Sequence, residues 1–455
     1  MSGDRVILIG AGLTGSLLAA YLGRRGYRVE VYERRPDPRV DGSERGRSIN
    51  LALSERGIDA LRQIDLDHEV LRDALPMSGR MVHPLAGAVN FQPYSNSGDR
   101  AINSISRSGL NNALLDAAEA TPGVTIHFGH KLTGVDVARC TASFEDGSIS
   151  ATGDVIIGAD GAWSATRGAV LAYAGEAFSE SVDFLDYGYK ELSIPARDGD
   201  YALDPGALHI WPRGTSMMIA LPNPDRSFTG TLFWPLGGTA AFGSFGSPAA
   251  VARHFRDQYH DLVDLIPDLV EQYRANPVGS LATVRCQPWQ IDGRVALIGD
   301  AAHAVVPFYG QGANCAFEDV VELDRCLAEY SGDWGRVLPA YEEGRRNNAN
   351  AIADMALANF VEMRDKVDDP VFKTGKRIEH ALEKALPGIY VSRYELVSFS
   401  LTPYAEIKHR VGLQHRVLGG LAAGAAATAA ATAWGALTRA RAQMSARHAT
   451  KESEK

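Results

Sequence analysis

Apolar residues run together from Val6 to Ile9 and break at Gly10, after which Leu17, Leu18, Tyr21 and Leu22 recur on one face at helical spacing. This predicts a strand over Val6–Gly10, a glycine turn, a helix over 12–25 and a second strand over Arg28–Tyr32. From 124 to 158 the pattern shortens to alternating segments at Val124–Phe128, Leu132–Val137, Thr141–Phe144, Ser148–Ala151 and Asp154–Gly158, broken by the turn Glu145-Asp146-Gly147. That is the pattern of a meander returning to a parallel sheet. Alternation resumes at Tyr187–Tyr189, His209–Trp211, Met217–Leu221 and Thr229–Phe233, which predicts a second sheet. After the Asp292-Gly293 turn, Val295–Ile298 is a last apolar strand, and beyond Pro307 the chain reads as helical to its end.

With 455 residues the chain exceeds what one core organises, so several interleaved units are expected. A net charge of −9 argues against a nucleic-acid partner. The four cysteines show no CxxC spacing, which points to structural thiols in a reducing, cytoplasmic compartment. The start, Met1 to Arg5, runs directly into a strand and carries no secretory signal. Segment 417–438 has no charged residue and is nearly half alanine; it is long enough to span a bilayer, but alanine is a weak membrane residue, so a soluble helix is the first expectation and weak membrane contact through 417–438 the second. The spacing of His127 and His130 places them on opposite faces of a strand, so no metal site is expected.

Gly10-Ala-Gly12-Leu-Thr-Gly15 stands between a strand and a helix, where glycines let backbone approach a pyrophosphate and a helix amino terminus offers N–H donors. Glu33 ends the following strand, where a carboxylate accepts hydrogen bonds from a ribose. The pair indicates a dinucleotide, NAD or FAD. Two further motifs bear on the choice: Asp160-Gly161 after the strand Val155–Gly158, and Asp300 after Val295–Gly299, followed by Pro307 and Gly310-Gln-Gly312-Ala-Asn314. Asp300 is suited to ribityl hydroxyls, and the helix opening near Gly312 to negative charge on a reduced flavin. Taken singly, each aspartate could instead cap the next helix.

In this order the three motifs resemble the flavoprotein aromatic hydroxylases of the para-hydroxybenzoate hydroxylase type, over about residues 5 to 345. Longer runs, Arg45 to Ser54, Tyr187 to Leu192, His209 to Pro212, Met218 to Asn223 and Val306 to Gly312, resemble the kynurenine-hydroxylating members of that family. The resemblance implies an α/β fold: an FAD-binding Rossmann-like sheet interleaved with an antiparallel substrate sheet, plus a helical carboxyl-terminal segment. It implies FAD-binding segments at 1–75, 100–175 and 276–345, a substrate domain at 76–99 and 176–275, and a helical region at 346–455. Bound FAD would meet Gly10, Gly12, Leu13, Thr14, Gly15, Glu33, Arg34, Arg47, Arg107, Leu132, Asp160, Gly161, Asp300, Pro307, Gly310, Gly312, Ala313 and Asn314.

By the same resemblance Arg80 and Tyr94 hold the kynurenine carboxylate, with Asn359 and Tyr394 as partners and Phe308 and Tyr309 beside the ring. A zwitterion in a dry site needs such compensation. Tyr309 departs from the histidine or phenylalanine of the family. The implied reaction converts L-kynurenine to 3-hydroxykynurenine: NADPH reduces FAD, O2 adds at the flavin C4a position, and the ring receives the OH without a side-chain nucleophile. A hydroxylase of another anionic aromatic, a flavin-linked lipid reductase and a non-enzymatic FAD module are the competing readings.

Overall fold

The strand Arg5–Ile9 is apolar throughout its inner residues, and Val6, Ile7 and Leu8 have no solvent exposure. Burial on both faces is what an unbroken apolar run requires of a parallel strand. It lies inside a six-stranded sheet ordered Gln290–Ile291, Val295–Leu297, Val155–Gly158, Arg5–Ile9, Arg28–Glu33, Val124–Phe128, parallel except for the first pair. Ile9 pairs with Gly158 and Gly158 with Leu297, so three strands end side by side. The computed structural model describes residues 3–41, 50–95, 98–145, 149–366, 370–386 and 388–418. Residues 1–405 form one compact unit; of the second, 406–455, the described residues 406–418 are helical.

A seven-stranded sheet is ordered Gly279–Gln287, Ser179–Ile194, Phe228–Pro235, Met217–Pro222, Ala207–Pro212, Gly79–Val82, Asn90–Pro93. It is antiparallel apart from the pairing of Ala207–Pro212 with Gly79–Val82. One face builds a core of Trp211, Met218, Phe228, Leu232 and Trp234 against Phe255 and Tyr273 from the covering helices and Tyr259 from the end of the first of them. On the other face Leu208, Ile219 and Leu221 pack with Met77, Tyr94 and Ile102. The expected α/β arrangement is therefore present. The strand expected only at Tyr187–Tyr189 begins at Ser179, and its first half is mostly exposed, leaving no apolar alternation to read.

Beyond Pro307 lie the helices Gly312–Glu329, Trp334–Val361, Pro370–Ala385 and Arg393–Phe399, with a π-helical turn at Glu362–Lys366. Segment 417–438 falls outside the described residues except for its first two. Among the described residues no helix is long and apolar enough to cross a membrane.

Behind the strand Gly79–Val82 sits a buried polar chain. His83 Nδ1 is 2.8 Å from Asp261 Oδ2, His83 Nε2 is 2.9 Å from His209 Nδ1, and His209 Nε2 is 2.9 Å from the Asp204 carbonyl. A carbonyl can only accept, so His209 carries its proton on Nε2. Burial pushes the His209 pKa down to about 4, against a smaller opposing pull from that carbonyl. Folded His209 thus stays neutral to about pH 4, whereas the unfolded side chain protonates near 6.5. The unfolded state binds more protons in that window, and stability falls as pH drops through it. The melting temperature should decline between about pH 7 and pH 5, and His209→Gln should flatten that decline. Equal slopes in variant and parent would locate the acid sensitivity elsewhere.

Candidate active site

The turn after Arg5–Ile9 is shaped by what its glycines lack. Gly10 has φ +100°, and a Cβ there would lie 2.6 Å from the Ala159 carbonyl oxygen; one at Gly15 would lie 1.9 Å from the Gly10 carbonyl oxygen. Both are packing requirements. Gly12 differs: its backbone is extended and a Cβ would meet nothing within 4 Å. The helix Leu13–Arg24 opens there with no side-chain cap, so its first N–H groups have no side-chain acceptor and could take an anion.

Glu33 is buried and accepts hydrogen bonds from Ala11 N at 2.9 Å and from Arg35 N and Nε at 2.9 Å. Burial would raise its pKa, but Arg35 and the two amides hold it below the usual carboxylate range. A cleft of about 80 Å3 lined by Ala11, Glu33, Arg35, Pro36, Pro38, Asn111 and Phe128 opens beside it. Arg35 and Asn111 were not among the expected residues, although both adjoin motif positions. Arg34 and Arg107 are exposed and have no hydrogen bond or ion pair among the described residues. Leu132 is buried opposite Phe144, and Arg47 lies outside the described residues.

The two aspartates of the later motifs differ in their surroundings. Asp160 accepts from Ser164 Oγ at 2.6 Å and from Thr166 N and Oγ1 at 3.0 and 3.1 Å. Both of its oxygens are committed to the start of the helix Ala165–Ala174, leaving the Gly161 backbone, with φ +82° and open space around it, as the accessible part of that motif. Asp300, in contrast, is exposed and has no protein partner among the described residues. Gly299 before it has φ +61°, and a Cβ there would stand 2.9 Å from Thr14 Oγ1, so the first and third motifs touch.

Pro307 is exposed, Gly310 is left-handed, and the helix Gly312–Glu329 begins at Gly312 and the half-buried Ala313 without a side-chain cap. Asn314 is buried and fastens this helix to the strand Leu51–Leu53, donating to the Ala52 and Gly310 carbonyls at 2.9 and 2.8 Å and accepting from Ser54 N at 2.9 Å. Ligand atoms of His303, Cys315 and Asp319 lie within 4.8 Å of one another. The Arg345 guanidinium already occupies this group, 2.7 Å from Asp319 Oδ1 and 3.3 Å from Cys315 Sγ, which makes it an ion-pair network.

The structure also gathers Arg80, Tyr94, Tyr309 and Tyr394, all four expected at the substrate. The Arg80 guanidinium carbon is 4.7 Å from the Tyr394 ring centre and 5.7 Å from that of Tyr94, and those rings stack at 4.8 Å. Tyr309 stacks on Tyr394 at 5.9 Å. Arg80 Nε is buried with no hydrogen-bond partner. Burial disfavours its charge, but the tyrosines and the Glu362 carboxylate outweigh that and raise its pKa. Burial raises the Tyr309 pKa against the opposing pull of the nearby Arg393 guanidinium.

Phe308 stacks on Phe360 at 4.1 Å and tilts against Phe233 at 4.9 Å. Asn359 is buried beside it and donates its amide to the Phe308 carbonyl at 2.6 Å. Arg393, paired with Glu362 at 2.9 Å, was not expected, although it is the immediate neighbour of Tyr394. His127 and His130 do not diverge: the strand ends at Phe128, Gly129 turns the chain with φ +77°, and both rings pack on Tyr32.

These strand ends, glycine cradle and free aspartate define a dinucleotide-binding flavoprotein, and the model of the FAD binding domain family matches residues 4–356. The kynurenine 3-monooxygenase of Myxococcus xanthus is 48% identical over 88% of this chain and 87% of that protein. That of Dictyostelium discoideum is 42% identical over 90% of this chain and 91% of that protein. The chain belongs to the kynurenine 3-monooxygenase family of FAD-dependent monooxygenases. Among solved structures, the tetrameric form of 2-methyl-3-hydroxypyridine-5-carboxylic acid oxygenase shares the fold, with TM-score 0.67 and 21% identity over 85% of this chain and 96% of that one. PqsL of Pseudomonas aeruginosa, in complex with 2-aminobenzoylacetate, superposes with TM-score 0.64 and 20% identity over 80% of this chain and 97% of that one.

Because Gly12 has extended backbone and an open Cβ direction, Gly12→Val should fold with a melting temperature close to the parent apoprotein's, yet purify without yellow colour. Gly15→Ala should instead destabilise the fold. Full flavin absorbance in folded Gly12→Val would remove the pyrophosphate from this turn.

Proposed function

We propose that this chain hydroxylates L-kynurenine to 3-hydroxykynurenine, using bound FAD, NADPH and O2. The observation that carries the reading is Arg80, a cation with an unpartnered buried Nε among stacked tyrosines, beside the Pro307–Tyr309 turn of the third flavin motif. Such a group awaits an anion in a dry site. The open Gly12, the free Asp300 and the uncapped helix at Gly312 fit the flavin dinucleotide. When bound, FAD supplies the transfer of electrons from NADPH and of oxygen to the ring.

The protein's part is binding, orientation and exclusion of water. Segments 1–75, 100–175 and 276–345 hold the cofactor, while 76–99 and 176–275 roof it. Gly10 to Gly15 and Glu33 receive the pyrophosphate and adenosine ribose, with Asn111 and Arg35 lining the same cleft. Arg34 and Arg107 face solvent as free cations for its phosphates, and Asp300 receives the ribityl chain. The amino terminus of Gly312–Glu329 favours negative charge on the flavin ring. Arg80, Tyr94 and Tyr394 anchor the α-carboxylate and so orient the aromatic ring. Asn359 holds the Phe308 carbonyl, and with it the turn that presents Phe308 and Tyr309. The packed rings of Phe308, Phe360 and Phe233 keep water from the reacting face.

The first test is NADPH consumption with and without kynurenine: turnover should be stimulated by it and yield 3-hydroxykynurenine, and stimulation by another anionic aromatic alone would reassign the substrate. Loss of one partner of a buried charge pair costs about 2–5 kcal/mol, so Arg80→Met should weaken kynurenine binding ~30-fold or more. Decarboxylated kynurenine should lose far less. Equal losses would make Arg80 a support of the fold. The reading places the enzyme in the cytoplasm, and full-length chain should partition into the detergent-free soluble fraction as fully as a chain ending at Arg416; retention of only the longer form on membranes would make 417–438 an anchor.

A further inference from the structure

Asp319 lies on the helix Gly312–Glu329, has no solvent exposure, and is outside every residue assigned above to substrate or cofactor. Its Oδ2 accepts from Gly299 N at 3.1 Å and from His303 Nε2. Its Oδ1 accepts from Arg345 Nε at 2.7 Å. Gly299 and His303 bracket the single helical turn Asp300–His303, and the Gly299 carbonyl also accepts from His303 N at 3.0 Å. One carboxylate therefore grips both ends of the turn that presents Asp300. Burial would raise its pKa, but His303 and Arg345 reverse this and keep it ionised. Arg345 is held in turn by Glu318 at 3.3 Å and the Cys315 carbonyl at 3.1 Å.

We infer that Asp319 is a positioning residue for the cofactor: it fixes the Gly299–His303 turn so that the free Asp300 carboxylate points at the ribityl chain. The inference rests on the FAD reading above. A merely structural role would spread its effect over the whole network. A positioning role confines it to the contacts that touch the turn.

The test is the rate of FAD dissociation from the holoenzyme, read as recovery of flavin fluorescence on dilution. Asp319→Asn keeps the shape but replaces one acceptor by a donor, so the turn or Arg345 loses its partner. FAD should leave at least about tenfold faster, the scale of one charge-assisted hydrogen bond. With FAD saturating, the KM for kynurenine should stay within about twofold, since the Arg80 cage is untouched. Glu318→Gln removes the other carboxylate on Arg345 without touching the turn; it should lower the melting temperature and leave FAD dissociation unchanged. His303→Leu removes one grip only and should give an intermediate rate, which serves if Asp319→Asn does not fold. Unchanged dissociation in Asp319→Asn, or in His303→Leu where that variant stands in, or equal acceleration by Glu318→Gln, would overturn the inference. A parent enzyme that binds no FAD would instead overturn the cofactor assignment.

Discussion

At Gly15 the first helix comes so close to the strand it follows that a single added carbon would overlap the Gly10 carbonyl oxygen. The same kind of contact recurs at Gly158, where a Cβ would meet Thr166 at 2.5 Å, and at Gly299 against Thr14. These approaches, with the register that sets Ile9, Gly158 and Leu297 side by side, bring three strand ends to one edge of the sheet. That edge is where an open α/β sheet binds its ligand. The site exists because backbone replaces side chain at these points, and the rest of the molecule is arranged around the space so created.

Close packing of backbone leaves little room for water, so the charges behind the site must neutralise one another. The Arg56 side chain has no solvent exposure; it pairs with Glu318, donates to the Val397 and Thr402 carbonyls, and lies 3.9 Å from the Tyr404 ring centre. Glu318 also meets Arg345, and through it Asp319 and His303. Breaking one such buried pair leaves an uncompensated charge at a cost of about 3–5 kcal/mol. The chain of pairs runs from the helix Glu55–Arg62 through Gly312–Glu329 to the segment after Arg393–Phe399. It thereby ties the helix Gly312–Glu329 to the element that carries Tyr394.

The cage around Arg80 has a different logic. Arg80 comes from the seven-stranded sheet, Tyr94 from the end of its edge strand, Tyr309 from the flavin turn and Tyr394 from a carboxyl-terminal helix. Cation and aromatic faces attract, yet none supplies a formal negative charge in direct contact. The Arg80 guanidinium therefore keeps unused hydrogen-bonding capacity at Nε. Across the sheet from this cage, His83 bonds Asp261 and His209, and Asp261 also accepts from Trp211 Nε1 on the core side, so the strand bearing Arg80 is held from behind.

Whatever is local could be read directly from the chain. The strand, glycine turn and helix at the start, the meander from 124, Glu33 and the three ordered motifs depend on residues close in sequence, whose spacing is the physical cause of their arrangement. The motif at Asp160 could not disclose that its carboxylate binds the start of the next helix, which hydrogen bonds from Ser164 and Thr166 show. Asn359 turned out to hold the Phe308 carbonyl 51 residues away in sequence. Arg393, Asp319 and Arg345 carried no signal, because an arginine or aspartate in a helix is ordinary until its burial and its partner are known. His127 and His130 were misplaced because one glycine ended the strand between them. The sequence by itself determined which segments form elements and which of them can meet a dinucleotide, since these follow from periodicity and from where glycine stands. Only the tertiary structure decided which charges are free for a ligand and which are spent on the fold, because that depends on partners brought together across hundreds of residues.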